Sequence, residues 1–472
     1  MIGTKQGSRI RLPLATEILQ HRVQTFLEQP SRQTTHIPRP IIHRITLPLE
    51  PIQPLNWLMH QRQSTCIYWG NRDGQFELAG IGGADIIQGR IREGFTHIFR
   101  QMHSHFDAEF PRLRYVGGFQ FSPRLNEDPF WADFGAYWLV LPQLEVFREG
   151  DQHYMALNLK LHPGEPLPLQ IEKLLDFLET VVWNDADIDF TVPRYRRRLD
   201  APGYAGWARI IAHALQKIRS GSFEKIVLAR RSTFEFEEDL HPLEILKRLS
   251  QASPETYHFC FQPVPGSAFL GASPERLYRR VGRTIETEAV AGTRPRGTTE
   301  SEDRQLAETL LHSPKDLREH DYVVQSIQEV LSSVCENYEV DAEISILKLT
   351  RVQHLCKKLR GQLRAKVSDA QIISRLHPTP AVGGYPTLNS EMEIENLEPF
   401  QRGWYAAPVG WISQNAAEFA VAIRTGLIED HRLHLYSGAG IVEGSTAENE
   451  WDEIENKISN FLTIIQRMNG KQ

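Results

Sequence analysis

Cysteine is nearly absent: the 472-residue chain has 4, at Cys66, Cys260, Cys335 and Cys356, with no C-x-x-C spacing. A disulfide framework and a cysteine zinc site are thereby excluded, and the thiols read as buried groups in a reducing compartment. No apolar run approaches membrane-spanning length, so no membrane partner is expected. The start of the chain lacks an apolar signal core. Its first sixteen residues are acid-free and mildly basic, a faint transit-peptide pattern, and the expected location is the cytoplasm. A large charge of one sign is missing too: the net charge of -6 favours solubility and gives no support to nucleic-acid binding. The basic run Arg194–Arg198 is expected to be a solvated linker. There are no tandem repeats and no low-complexity tracts.

What is present is ordinary globular composition, 41% hydrophobic and 24% charged, in a chain long enough for two or three domains or one elaborate one. Helical spacing predicts a helix over Ala15–Gln29, closed by Pro30, then loop and edge strand to residue 56. Thr65–Gly82 is a predicted hairpin turning at Asp73-Gly74. A short helix, three strands of period-two character and an amphipathic helix at Ile171–Val182 complete an N-terminal half that reads as scaffold. A soft boundary at 184–203 separates residues 1–200 from a region spanning 203–468.

The stretch Tyr436–Ile458 organises the second region. Gly438, Ala439 and Gly440 read as a small-residue turn able to bring backbone N–H groups to an anion. Ser445 reads as the cap of a helix, with Glu448 as its capping-box partner. Glu450, Glu453 and Lys457 then fall on one helical face, beside an apolar stripe of Trp451, Ile454, Ile458, Phe461 and Ile465. Two readings stay open: a surface Glu–Lys pair, or a site for a metal and a carboxylate substrate.

Other positions pose similar choices. Lys225 opens the strand Glu224–Phe236 among apolar neighbours, either reaching solvent by its long stem or held as a desolvated base. Glu275 lies just inside a Gly-Ser-Pro turn, and Gly292 and Thr293 offer N–H and hydroxyl donors. Ser313 caps a helix with Pro314 at its first position. On that helix Glu319 shares the inward face of Val323, Ile327 and Val330 and needs a partner, an arginine or a metal. His354 sits on a strand-like run, and Arg424 lies in what reads as one apolar strand, where it needs an anion.

Nine segments occur in an order that resembles the chorismate-utilising enzymes: KIVLAR, GASPERL, AGTRPRG, SPKDLREH, VQHL, LHPTPAVGG, YAAPVGW, AIRTGLI and GAGIVEGS…ENEWDEIENK. The resemblance covers about residues 203–468. It implies an α+β fold of two large, mostly antiparallel sheets packed together with helices outside, the N-terminal half adding strands to the same body. It implies magnesium at Glu319 and Glu453, with Glu450 near the metal. Lys225 matches the general base and Glu275 the general acid. Gly438, Ala439, Gly440 and Lys457 match the surroundings of one substrate carboxylate, Arg424 and Tyr405 the grip on the other, and Gly292, Thr293, His354 and Ala381 further contacts.

Within the family, Lys225 stands where anthranilate synthases typically carry Gln, and Ala291 where aminodeoxychorismate synthases carry a nucleophilic Lys. Ala381 stands where salicylate synthases typically carry Thr. Together they point to isomerisation of chorismate to isochorismate, for menaquinone or phylloquinone synthesis, with no glutaminase subunit and a monomer or weak dimer. Tyr405 is the usual residue of salicylate synthases, so pyruvate loss to salicylate stays open. So do a siderophore-pathway role and a non-catalytic binding protein.

Overall fold

Runs in which apolar side chains alternate with period two become strands, and every paired strand is antiparallel to its neighbours. The computed structural model describes residues 9–27, 40–90, 94–125 and 127–466. The chain begins with α1 (Leu12–Leu27), β1 (Ile41–Leu49), α2 (Pro54–Met59) and the hairpin β2–β3 (Cys66–Gly70, Phe76–Gly89). Then come α3 (Phe95–His103), β4 (Tyr115–Phe119), β5 (Tyr137–Glu149), β6 (Gln152–Leu161), α4 (Leu167–Glu179) and β7 (Tyr195–Ala201). They lead to α5 (Tyr204–Arg219), β8 (Lys225–Phe236), α6 (Pro242–Ala252), β9 (Tyr257–Val264), β10 (Ser267–Ser273) and β11 (Arg276–Val281). Next are β12 (Thr284–Pro295), α7 (Glu300–Leu311), α8 (Pro314–Val334), β13 (Cys335–Val340), β14 (Ser345–Lys348) and β15 (Val352–Leu363). Last are α9 (Asp369–Leu376), β16 (Gly384–Tyr385), α10 (Thr387–Leu397), β17 (Pro408–Ile412), β18 (Ala416–Val421), β19 (Thr425–Glu429), β20 (Arg432–Ile441) and α11 (Ala447–Gln466).

The 20 strands form one hydrogen-bonded network with two arms. The first runs β1-β6-β5-β3-β2-β9-β10-β19-β20-β8, with β7 and β16 sharing the outer edge of β8. The second runs β4-β17-β18-β11-β12-β15, with β13 and β14 along its last edge. Strand β5 belongs to both. It pairs with β3 along its length, and on its other edge with β6 through Leu144–Glu149 and with β4 through Tyr137–Val140. The expected two sheets are therefore continuous through one long ribbon. Strands from either side of residue 200 interleave, since β2 pairs with β9 and β4 with β17.

The inner faces of the arms share one core, in which Trp69, Phe259, Phe269, Trp404 and Phe419 are buried. A second core lies where α1, α2, α4, α6 and α11 cover the first arm, with Leu19, Trp57, Leu178, Leu246 and Phe461 buried. All 4 cysteines are buried and free. Among the described residues no helix is long and apolar enough to cross a membrane.

Away from the site, the structure departs from the expectations in several places. Arg194–Arg198 is not a linker: most of it forms β7, where Arg198 pairs with Asp200 and Glu455. The run containing Arg424 is two strands, β18 and β19, with the break at Ala422–Arg424. The Pro/Gly-rich run Arg375–Pro386, whose composition reads as loop, begins as the last turn of α9 and contains β16. The helix expected over Trp207–Ile218 is α5, whereas α2, α6, α7, α9 and α10 go beyond the predicted set, although Pro54 and Pro242 mark the first turn of two of them. The end of the predicted Ala15–Gln29 helix and its Pro30 stop lie outside the described residues.

One buried ion pair fixes the loop before β16 against β8. Arg402 holds Glu398 through two bonds of 2.9 and 2.6 Å and donates to the carbonyls of Val382 and Val227 at 2.8 and 2.7 Å. Glu398 Oε1, which takes one of these bonds, also accepts the Ala229 N–H at 2.7 Å. Because both side chains are buried, Arg402→Met leaves a carboxylate uncompensated and should cost about 3–5 kcal/mol. A thermal-unfolding midpoint within a degree of wild type would show that the pair is not needed.

Candidate active site

Two neighbouring chains step from one arm to the other side by side. Strand β10 ends at Ser273, and after Pro274 and Glu275 the chain resumes as β11 in the second arm. Next to it, β18 ends at Val421 and the chain resumes as β19 in the first arm. The steps are stitched together: the Ala272 N–H donates to the Arg424 carbonyl at 3.2 Å, and the Val421 N–H to the Glu275 carbonyl at 3.1 Å. Arg424 takes a φ of +53°, a conformation costly for a side chain other than glycine, as sites that aim a residue often do. The gap left between the arms is a cavity of about 270 Å³.

Of the residues expected at the site, Glu275, Gly292, Thr293, Glu319, His354, Ala381, Tyr405, Arg424, Gly438, Gly440, Glu453 and Lys457 line this cavity. Lys225 lies behind the lining, fully buried, and donates to Glu319 Oε1 at 2.8 Å. It is thus neither exposed by its stem nor surrounded by apolar groups alone, and the partner of Glu319 is this lysine and not an arginine. Glu450 and Ala439 are also set back from the lining.

The segment Gly438–Gly440 is not a turn. It is the end of β20, paired with β8 through Ala229, Leu228 and Val227. Strand alternation turns the Ala439 side chain into the core, so Ala439 is removed from the cavity contacts. Gly438 and Gly440 face the cavity and matter for their lack of a side chain. A Cβ at 440 would lie 3.0 Å from Glu319 Oε1 and 3.1 Å from Lys225 Cε; one at 438 would lie 3.0 Å from the Tyr405 hydroxyl. The helix cap is one residue later than expected. Thr446 accepts the Asn449 N–H at 3.3 Å, whereas the Ser445 hydroxyl accepts the Val442 N–H at 3.2 Å. On α11, Lys457 bonds Glu453 at 2.7 Å and the Gly438 carbonyl at 2.8 Å, tying helix to strand across the site.

Burial, and next the charge of Glu288, push the Glu275 carboxyl up to about 8 despite the pull of Lys225 and Lys457. Burial brings the Arg424 guanidinium down to about 10. Burial, helped by Arg424, lowers His354 to about 3, so the imidazole is neutral. Its Nδ1–H then donates to the Gly292 carbonyl at 3.0 Å, leaving Nε2 to accept from Arg424 Nη2 at 3.2 Å. Burial and the charge of Glu453 raise Glu450. Burial also works against the charge of Glu453, but Lys457 overrides it and its pKa is lowered.

Among the described residues no group of three or more His, Cys, Asp or Glu side chains is arranged around a metal. Each of the three expected metal acids instead has a lysine: Glu319 has Lys225, Glu453 has Lys457, and Glu450 has Lys315 at 3.6 Å. The donor chemistry still fits a hard cation. All three are carboxylates, and the buried Glu450 is crowded by the charge of Glu453, which a divalent ion would relieve. Lys315 and Asp316, within the segment SPKDLREH, and Arg294 also line the cavity and were not expected there. Their signal was adjacency to Glu319 and to Gly292-Thr293.

Because Glu275 keeps its proton in the folded state up to about pH 8 but loses it when unfolded above its ordinary carboxyl range, stability should fall as pH rises through that window. Glu275→Gln, neutral at every pH, should therefore melt higher than wild type at pH 8, with the difference shrinking toward pH 5. Parallel melting curves across this range would place the Glu275 titration elsewhere.

Comparison with known proteins bears on the family of the chain. The sequence profile of the family described as "Chorismate binding enzyme" matches residues 26–466. Isochorismate synthase 2, chloroplastic, of Arabidopsis thaliana is 33% identical, over 84% of this chain and 71% of that one. Isochorismate synthase MenF of Bacillus subtilis is 32% identical, over 88% and 91%. The solved structure of MenF, the menaquinone-specific isochorismate synthase from Escherichia coli, is 30% identical, superimposes with a TM-score of 0.84, and is matched over 96% of this chain and 100% of that one.

Proposed function

The chain belongs to the chorismate-binding enzymes, and on that footing we propose that it is an isochorismate synthase, converting chorismate to isochorismate in menaquinone synthesis. The observation that carries the reading is the pairing of a carboxyl biased toward its protonated form, Glu275, with the buried amine of Lys225 behind the opposite wall of one cavity.

Chorismate carries two carboxylates. Arg424, with Tyr405 lining the same cavity, receives the one on the enolpyruvyl arm, a planar guanidinium suiting a carboxylate. The ring carboxylate lies toward Gly438, Gly440 and Lys457. In antiparallel register Gly438 and Gly440 stand opposite Ala229 and Val227, whose N–H groups turn away to Glu398 and Gly383. The N–H groups of both glycines accordingly face away from β8, toward the substrate side. Glu319 and Glu453, with Glu450 behind them, would hold magnesium, which when bound supplies positive charge beside that carboxylate.

In the reaction, Lys225, after releasing the proton it carries in its resting ion pair with Glu319, takes a proton from water as the water attacks ring carbon 2. The ring double bonds shift and the hydroxyl on carbon 4 departs, taking the proton of Glu275 and leaving as water. Each of these groups supplies about 10²–10⁴-fold of the rate. The glycine at 440 keeps Lys225 and Glu319 in their places, since any side chain there would press on both. The buried free thiols fit a reducing cytoplasm.

The reading is tested by incubating the protein with chorismate and magnesium and measuring isochorismate and pyruvate. Isochorismate without pyruvate is expected; no consumption of chorismate would leave only a binding protein. In the same assay Lys225→Gln should lose at least about a hundredfold in kcat while chorismate affinity stays within a few-fold, because an amide cannot accept the proton. Lost affinity with turnover preserved would make Lys225 a binding residue. Ala381→Thr, which adds a hydroxyl to the cavity wall, is expected to raise the pyruvate fraction. An unchanged product ratio would mean that this position does not govern the lyase step.

A further inference from the structure

The strongest unassigned feature near the cavity comes from the N-terminal half. Arg72 sits in the β2–β3 turn, which is itself tightly tied. The Asn71 side chain accepts the Phe76 N–H at 2.9 Å, the Asn71 carbonyl accepts the Gly74 N–H at 3.2 Å, and Gly74 has a φ of +66°. From this turn Arg72 reaches across to the second region. Its two terminal nitrogens hold the carboxylate of Glu288 in a fork, both bonds 2.5 Å, and Nη1 also donates to the Pro274 carbonyl at 2.8 Å. Glu288 is buried and receives the Arg276 N–H at 3.3 Å as well. The residues so gripped, Pro274 and Arg276, flank Glu275 in the chain.

We propose that the Arg72–Glu288 ion pair is a clamp that positions Glu275: Arg72 fixes the backbone from which the carboxyl projects, and Glu288 presents a carboxylate to it. The proposal rests on the reading of Glu275 as the acid of the reaction. A step between two sheets has no ladder to hold it, because the residues in transit belong to neither strand. Glu275 keeps two backbone ties to β18 and Ser273, the Val421 N–H to its carbonyl and its own N–H to the Ser273 hydroxyl at 3.3 Å. Arg72 adds a third tie from a different element, through a charged and doubly bonded group.

The clamp also has an electrical side. Facing Glu275 are Lys225 from β8, Lys457 from α11, Arg424 from the break before β19, Tyr405 ahead of β17 and Glu288 on β12. Three of these five are cations that favour an ionised Glu275, and Glu288 is the one anion that opposes them. Arg72 lies on the far side of Glu288 and lets that carboxylate exist buried at all.

The test follows Glu275 directly, by carboxyl ¹³C NMR of the full-length protein labelled at glutamate, with Glu275→Gln identifying the resonance. Glu288→Gln is expected to move the Glu275 midpoint down by about half a unit or more. This readout needs no turnover, so a wild-type protein that makes no isochorismate would overturn the functional reading and leave the clamp to be decided by the titration. In active enzyme the alkaline limb of kcat should follow the same shifts, about tenfold in rate per unit on its falling side. Arg72→Lys, which keeps the charge and loses the fork, should lower kcat with the limb in place. A midpoint unmoved by Glu288→Gln in protein of wild-type melting temperature overturns the clamp, as does an Arg72→Lys variant of wild-type kcat. If Glu288→Gln does not fold, Glu288→Asp, which draws the carboxylate back by one methylene, decides the same way.

Discussion

The site depends on two adjacent strands leaving one sheet for another at the same level. At such a step the ladder hydrogen bonds cannot continue, and the residues in transit keep polar backbone groups that must find partners elsewhere. Here they find each other, through the bonds of Ala272 and Val421 to the carbonyls of Arg424 and Glu275. The side chains freed by the step point into the space where the arms diverge. An arginine and a carboxyl are thus delivered to one cavity by backbone geometry, before any side-chain packing is considered. The long β3–β5 ribbon makes the divergence possible, because it is the part that both arms share.

The opposite wall is held by a different device. Helix α11 lies against β20 and β8, and its docking is electrostatic as well as apolar. Arg230, fully buried on β8, donates to Glu455 at 2.5 Å and packs its guanidinium 4.0 Å from the centre of the Trp451 ring. Trp451 in turn meets Trp207 of α5 edge-on. Ile454, Ile458 and Phe461 carry the apolar share. The helix is thereby fixed in rotation as well as in place, so Lys457 reaches β20 and Glu453, bonded to it, lines the cavity, both side chains staying partly exposed. A helix held only by its apolar stripe would be free to roll by part of a turn, and the Lys457 bond to the Gly438 carbonyl would not survive that.

Much of this was legible in the sequence, and the reasons it was legible differ. The stripe and acidic face of α11 follow from helical periodicity, and the Ser313-Pro314 start of α8 from cap chemistry, both local rules. The identity of the site residues came from ordered motifs, which carry long-range information that no local rule supplies. What failed was where local and long-range forces part. Gly438, Ala439 and Gly440 look like a turn because small residues permit one, but pairing with β8 along ten residues overrides that. Arg424 looks like part of one strand because its neighbours are apolar; the break there is imposed by the two arms. Arg72 carried no signal, since an arginine in a hairpin turn is ordinary until its distant partner is known.

The charges around the cavity form a pattern that explains why an acid-rich wall can face an anionic substrate. Lys225, Lys315 and Lys457 match Glu319, Glu450 and Glu453 one for one, Arg294 matches Asp316 at 2.7 Å, and Glu275 favours its proton below about pH 8. Among the described residues this leaves Arg424 as the cavity's cation with a neutral histidine, and no carboxylate, at its hydrogen bonds. One guanidinium answers one carboxylate. A substrate with two therefore brings one negative charge more than the residues balance, on the side where the three acids already stand. That excess is the charge the proposed divalent cation would meet, with the lysines keeping the acids in position. Were the acids unpaired, their mutual repulsion in a buried wall would raise their pKa values and drive them to take up protons, and a protonated carboxyl is a poor ligand for a hard metal.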